Sequence, residues 1–242
     1  MTHRTWFAIG DVHGEADKLA ELHDAIFDRI AFEGGPAGLI HLGDYVDRGP
    51  SSRQVIDRIM KLETTSKADE TLRIISLKGN HELMMLEAIA GGAPGKLSNW
   101  LLNGGRETLA SYGVEDPDEA PSLFEVIPGE HIDWLRQLPT MLHVPDEALA
   151  FVHAGIDPRT FPDCSDEHHL WTRSRKFFDT GRWPDREELS GLTVVHGHTP
   201  TTDNQPKVMD RRINVDTGAC FGGPLTAVML QPGQAPQFLR AH

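Results

Sequence analysis

Cysteine is scarce in this 242-residue chain: there are two, Cys164 and Cys220, far apart and in no paired motif. That argues against a disulfide framework and fits a reducing compartment with both thiols free. Basic residues are also in deficit. Lys and Arg number 23 against 36 Asp and Glu, a formal net charge of −13, which speaks against a nucleic-acid backbone or an anionic membrane as partner. No apolar run approaches the length of a membrane span. The start, Met1-Thr2-His3-Arg4, passes at once into a strand-like run and leaves no room for a signal peptide, so a cytoplasmic location is expected. No internal repeat, low-complexity tract or linker divides the chain. One domain over residues 1–242 is the economical expectation, long enough to bury about 70–75% of the surface it exposes unfolded.

What is present is a series of short, β-branched apolar runs, most of them ending at Gly, Asp, Asn or His. Thr5–Ile9, Gly38–Leu42, Leu72–Leu77, Leu149–Val152, Leu192–Val195, Arg212–Val215 and Leu225–Leu230 are predicted strands. Helical patterns lie between the early ones. Glu15–Ala31 carries Leu19, Leu22, Ile26 and Ile30 on one face, and Ser51–Leu62 carries Val55, Ile56, Ile59 and Met60. A third helix is predicted to start near Glu82 and to stop at Gly91-Gly92-Ala93-Pro94-Gly95. This β-α-β-α-β-α opening predicts an α/β fold with parallel strands. A helical excursion at about 96–142 follows, with a helix over Glu130–Gln137. The last third is strand-rich with tight turns, which predicts antiparallel pairing.

Five segments run from an apolar stretch into polar residues suited to metals: Gly10-Asp11-Val12-His13-Gly14, Gly43-Asp44-Tyr45-Val46-Asp47-Arg48-Gly49, Gly79-Asn80-His81-Glu82, His153-Ala154-Gly155 and Gly197-His198-Thr199. Each alone has a bland alternative. Asp11 with His13 could be a turn Asp and a surface His, Asp47 with Arg48 an exposed ion pair of about 0–1 kcal/mol, Asn80 an N-cap, and His153 or His198 a hydrogen-bonded structural His. As an ordered set they describe a site for two metal ions that hydrolyses a phosphate ester. Ligands of open α/β sheets gather beyond the carboxyl ends of the strands, where each of these residues sits. Asp11 and His13, two apart, project the same way from extended backbone. Asp44 has two oxygens with which to bridge two cations, and the Asn80 amide oxygen ligates without adding charge. The Arg48 fork suits phosphate oxygens. His81 is the general-acid candidate, oriented by Asp47. His196 and His198 both remain open as ligands, with Gly197 and Pro200 favouring His198.

These motifs, spanning residues 10 to 218, resemble the phosphoprotein phosphatase branch of the calcineurin-like, binuclear metallophosphoesterases, most of all its compact bacterial and phage serine/threonine phosphatases. The resemblance implies an α/β fold with two mixed β-sheets sandwiched between helices (α/β/β/α) and a dinuclear site at the strand ends. It implies Asp11, His13 and Asp44 on one ion, with Asp44 bridging to a second held by Asn80, His153 and His198. His81 with Asp47 would then protonate the leaving group. Arg48 would grip the phosphate together with Arg173 of Leu170-Trp171-Thr172-Arg173, or with Arg175. Asn214-Val215-Asp216-Thr217-Gly218 takes a supporting role. Pro200 stands where many metallophosphoesterases carry a further His, which implies more water on the first ion. The chain lacks the longer carboxyl-terminal region of eukaryotic members, so no regulatory subunit is inferred.

The expected activity is phosphoric monoester hydrolysis, foremost of serine/threonine phosphoproteins, by direct in-line attack of a hydroxide bridging the two ions. Symmetrical bis(5'-nucleosyl)-tetraphosphate hydrolysis is the runner-up. Enzymes of that kind usually lack an acid at the position of Asp47 and have Asp where Glu82 stands. A non-catalytic metal-binding scaffold is the remaining alternative. An oxygen and nitrogen donor set without thiolate favours Mn²⁺, with Fe²⁺ or Zn²⁺ also compatible.

Overall fold

The computed structural model describes residues 4–91, 95–114 and 123–242. Ten strands form two five-stranded mixed sheets among these residues. The first has β1 (Thr5–Ile9), β2 (Ala37–His41) and β3 (Leu72–Ser76) as parallel neighbours, extended past β1 by β9 (Leu225–Leu230) and β10 (Gln237–Ala241), both antiparallel to their neighbours. The second runs β4 (Met141–Val144), β5 (Leu149–Val152), β6 (Thr193–His196), β8 (Arg212–Asn214), β7 (Lys207–Met209). The antiparallel pairing expected in the last third holds for β7 with β8 and for β9 with β1 and β10, whereas β5, β6 and β8 pair parallel against that expectation; in this second sheet antiparallel pairing is confined to the edge strands β4 and β7. The edge strands β4, β7 and β10 carry no clean alternation and were not predicted.

Three helices connect the first sheet: α1 (Ala16–Glu33), α2 (Ser52–Ser66) and α3 (Asn80–Ala90). Helix α3 begins at Asn80, two residues before the predicted start, because Glu82 caps it from its third position, its carboxylate accepting the Gly79 N–H at 2.8 Å. It ends at Gly91, whose left-handed φ of 65° only glycine adopts freely; Gly92, Ala93 and Pro94 lie outside the described residues. The excursion folds as α4 (Lys96–Trp100), a kinked turn at Leu101–Gly105 in which Gly104 leaves helical geometry, α5 (Arg106–Ser111), α6 (Leu123–Val126) and α7 (Gly129–Gln137). Two short helices, α8 (Asp166–Trp171) and α9 (Arg175–Phe178), lie between β5 and β6.

Side-chain alternation along the strands sets the layers. Phe7, Ile9 and Leu39 face Leu19, Leu22 and Ile26 of α1 and Val55, Ile56 and Ile59 of α2. On the opposite face Trp6, Ala8 and Ile40 meet Phe151, Val195 and Ile213, so the two sheets pack directly on one another. The outer face of the second sheet, Ala150, Val152 and Val194, is covered by Phe161, Phe177 and Trp183. Burying each such large side chain contributes about 1.5–3 kcal/mol. The resulting helix–sheet–sheet–helix order brings the carboxyl ends of β1, β2, β3, β5, β6 and β8 to one edge of the molecule. Among the described residues, no helix is long and apolar enough to cross a membrane.

Candidate active site

The loops leaving those six strand ends are held in conformations that side-chain-bearing residues rarely adopt. Eight described non-glycine residues have positive φ, and five of them are His13, Asp44, Asp47, Arg48 and His198. Such backbone costs of order 1–3 kcal/mol per residue and gathers where geometry matters more than stability. Close packing fixes it further. A Cβ on Gly79 would strike the Asp44 carboxylate, and one on Gly197 would strike that of Asp11.

Asp44 is the hub, almost wholly buried. Its Oδ2 lies 3.3 Å from His13 Nε2 and 4.0 Å from His81 Nε2, while Oδ1 lies 3.4 Å from His153 Nε2. Two donor groups suited to a cation share it: His13, Asp44 and His81, and Asp44, His153 and His198. Asn80 joins the second, its Oδ1 2.9 Å from His153 Nε2 and 2.8 Å from His198 Nδ1, with the two ring nitrogens 3.1 Å apart. Tautomers follow from the other ring nitrogens. His153 Nδ1 is 3.1 Å from the Leu42 carbonyl and His13 Nδ1 2.8 Å from that of Val46, so each Nδ1–H donates and leaves a bare Nε2 lone pair turned inward. Burial depresses the pKa of His153 to about 4, with Asp44 working in the opposite direction, and burial with the neighbouring His153 takes His198 to about 2. Neutral imidazoles, an amide oxygen and a carboxylate turned on one another repel unless a cation lies among them.

Asp11 does not join either donor group; both its oxygens accept the His198 backbone N–H at 3.1 Å. Burial, then the charges of Asp216 and Asp44, push its carboxyl well above the ordinary range. Asp216, raised to about 6 chiefly by burial, keeps a buried Oδ2 without a hydrogen-bond partner. Burial also works against the Asp44 carboxylate, but the imidazoles of His153, His81 and His13 outweigh it and hold the group well below its usual value. Three buried carboxylates in mutual repulsion, one with an orphaned oxygen, fit positive ions.

His81 and Asp47 form a separate pair. Asp47 Oδ2 accepts from His81 Nδ1 at 2.7 Å, and its Oδ1 accepts from Trp100 Nε1 at 2.9 Å and Thr108 Oγ1 at 2.7 Å. The Arg48 guanidinium donates to His13 Nε2 at 2.6 Å and His81 Nε2 at 2.9 Å, and so lies across the mouth of the donor groups. Asp44, Arg48, Asn80, His81, Arg173, His198, Pro200 and Phe221 line a cavity of about 240 Å³. Arg173 is thus on its wall, donating to the His198 carbonyl at 3.4 Å, whereas Arg175 opens α9 and is not among the lining residues described. His196 turns away from the donor groups. The backbone bends at His198, whose φ is 66°, so the two rings diverge. His196 instead sits among Phe177, Phe178 and Arg212.

Glu82, Trp100 and Thr108 were not foreseen as parts of the site. Glu82 is fully buried, and its carboxylate accepts four backbone N–H groups: Gly79 and Asp44 at 2.8 Å, Tyr45 at 2.7 Å and Val46 at 3.3 Å. Burial and the Asp44 charge raise it to about 7 against the N–H groups of Gly79, Asp44 and Tyr45. It ties the loop carrying Asp44 and Asp47 to the one carrying Asn80 and His81. Glu82→Gln turns an amide NH₂ toward N–H donors, each unpaired group costing about 1–3 kcal/mol. Urea unfolding in chelator is expected to show about 2–5 kcal/mol lost, and titration with Mn²⁺ an affinity about 10–100-fold weaker. A variant as stable as the parent would deny Glu82 this positioning role.

Two stacked mixed sheets whose strand ends gather His, Asp and Asn donors define a metal-dependent phosphoesterase, a hydrolase of phosphate esters. The family model described as calcineurin-like phosphoesterase matches residues 6–242, and the chain belongs to that family. An asymmetrical bis(5'-nucleosyl)-tetraphosphatase PrpE from Halalkalibacterium halodurans is 29% identical over 238 residues, which are 91% of this chain and 87% of that protein. A symmetrical bis(5'-nucleosyl)-tetraphosphatase from Paracidovorax citrulli is 31% identical over 199 residues, 77% of this chain and 60% of its own length. Among solved structures, a candidate diadenosine tetraphosphatase superposes with a TM-score of 0.63 at 21% identity, covering 99% of this chain and 94% of that one. A cold-active protein-tyrosine phosphatase of a psychrophilic Shewanella gives 0.62 at 18% identity, covering 98% and 81%. At those identities the structural likeness concerns the fold.

Proposed function

We propose that the chain hydrolyses bis(5'-nucleosyl) tetraphosphates with the help of two divalent ions, Mn²⁺ foremost. The observation that carries the chemistry is the pair of donor groups sharing Asp44. Similarity narrows the substrate: relatives matched over nine tenths of this chain are named for that dinucleotide. This supports the runner-up substrate over serine/threonine phosphoproteins; the expectation there is symmetrical hydrolysis, whereas these relatives are named as asymmetrical. One ion would be held by His13 and Asp44 of the first group, with Asp11 turning in from the His198 N–H to take the place of His81, which stays with Asp47; the other would be held by Asp44, Asn80, His153 and His198. When bound, they supply positive charge against the phosphoryl oxygens and lower the pKa of the attacking water.

The protein's own groups do the rest. Arg48 and Arg173, on the wall of the cavity, clamp the equatorial phosphoryl oxygens and Asn80 orients them. Arg48 exchanges its present imidazole partners for phosphate oxygens. Asp47 holds the His81 ring by Nδ1, so that Nε2 faces the cavity and can deliver a proton to the departing oxygen. Phosphoprotein dephosphorylation stays as the second reading because of this pair: an alkoxide leaving group needs a proton donor, whereas a nucleotide phosphate needs it far less.

Incubation with diadenosine tetraphosphate and Mn²⁺ is expected to give either two ADP or ATP with AMP, resolved by chromatography. Chelator is expected to abolish turnover and Mn²⁺ to restore it. Turnover of a phosphoserine peptide with none of the dinucleotide would transfer the assignment to the second reading.

A further inference from the structure

Beyond the metal pocket, on the outer side of Arg48, lies a second cavity of about 410 Å³ lined by Leu101, Leu102, Arg106, Cys220 and Phe221 among others. The two cavities share Arg48 and Phe221 as walls. Phe221 is 64% exposed and Leu102, across from it, 87% exposed. Lone exposed apolar residues are ordinary; these two face one chamber that adjoins the candidate site. The Arg48 guanidinium carbon lies 5.4 Å from the centre of the Phe221 ring, close enough for a cation–π contact that steadies the ring.

Both walls are built rather than loose. Phe221 closes a 3₁₀ turn, Ala219–Phe221, between Gly218 and Gly222, both left-handed, and its N–H donates to the Gly218 carbonyl at 2.9 Å. Lys18 Nζ donates to the carbonyls of Ala219 and Gly223 at 2.8 and 2.9 Å, pinning the turn to α1. The opposite wall is the turn Leu101–Gly105, where the chain kinks between α4 and α5 at Gly104, whose φ of 108° leaves helical geometry. Its Gly104 carbonyl accepts the Arg48 backbone N–H at 3.2 Å. Arg106 adds a second cation to a chain that is acidic as a whole.

We propose that this outer chamber is a nucleobase subsite: the base of one nucleoside stacks on Phe221, bounded by Leu102, while the attached phosphates pass Arg48 into the metal pocket. The assignment rests on the dinucleotide reading above. It accounts for an exposed aromatic ring, carried on a pinned turn, one arginine away from the phosphoryl site. Every base has a π face, so the subsite selects nucleotides over other phosphates without choosing among bases.

The test compares kcat/KM for diadenosine tetraphosphate with that for glycerol 2-phosphate, which has no ring, both with Mn²⁺. Phe221→Ala is expected to lower the ratio by roughly 5- to 150-fold, the usual value of one stacked base; Phe221→Trp is expected to keep it near the parent's. An unchanged ratio in Phe221→Ala, with the dinucleotide still turned over, overturns the subsite and leaves the dinucleotide reading standing. Should the parent hydrolyse glycerol 2-phosphate but not the dinucleotide, that reading fails, and fluorescence of Phe221→Trp decides the subsite separately. Quenching by AMP beyond that by ribose 5-phosphate, and absent from the parent, supports it. Equal response to the two ligands overturns it.

Discussion

Asp44→Asn is expected to lower hydrolysis of every phosphate substrate by about 10³-fold or more, with the fold intact. Asp44 is the single carboxylate common to both donor groups, and three imidazoles surround it. Asparagine keeps the shape and an Oδ1 able to accept the His81 backbone N–H, as Asp44 does at 3.1 Å. It removes the negative charge that both cations would share. Losing several kcal/mol of charge stabilisation corresponds to about a thousandfold in rate, at 1.36 kcal/mol per factor of ten. Stability in chelator should fall, because the imidazoles that hold the Asp44 carboxyl well below its usual value lose the charge they favour, a loss only partly offset by relieved repulsion with Asp11. Steady-state rates with saturating Mn²⁺, alongside thermal unfolding without metal, check both halves. Activity within tenfold of the parent would refute the shared-carboxylate arrangement.

His81→Asn is expected to produce an effect that depends on the leaving group. The Asn amide can take the place of Nδ1 and keep the 2.7 Å contact to Asp47, but it offers no proton at the position of Nε2. For glycerol 2-phosphate the leaving group is a basic alkoxide, and removing a positioned acid costs about 10²–10⁴-fold. A nucleotide leaving group has a phosphate pKa of about 6 and departs unprotonated at neutral pH. Loss on diadenosine tetraphosphate is therefore expected to stay below about tenfold. Measuring kcat on both substrates separates the outcomes: equal losses would mean that His81 serves as a ligand or scaffold, which its 4.0 Å separation from Asp44 also permits.

Most of the site was legible because it is written at strand ends. Where β-branched runs stop at Gly and a polar residue, the topology of parallel strands brings the stops together, and Asp11, Asp44, Asn80, His153 and His198 obey that rule. The supports were not legible. Trp100 and Thr108 reach Asp47 from 53 and 61 residues away, and nothing local marks either as a hydrogen-bond donor to a buried carboxylate. Glu82 did carry a signal, since it stands three residues after Gly79 and a capping carboxylate is common there. Its three further bonds to the Asp44 loop are tertiary and left no trace in the sequence. The same limit applies to Phe221: a Phe between glycines reads as a turn, and its exposure beside Arg48 is known only from the fold. The parallel pairing of β5, β6 and β8 was missed because short strands joined by loops with little helix mimic hairpins.

One measurement bears on the central claim more directly than any rate: anomalous diffraction from crystals grown with Mn²⁺. Two peaks in the strand-end cluster, each within bonding distance of an Asp44 oxygen, one also contacting His13 and the other Asn80, His153 and His198, are the predicted result. A single peak, or two that do not share Asp44, would contradict it.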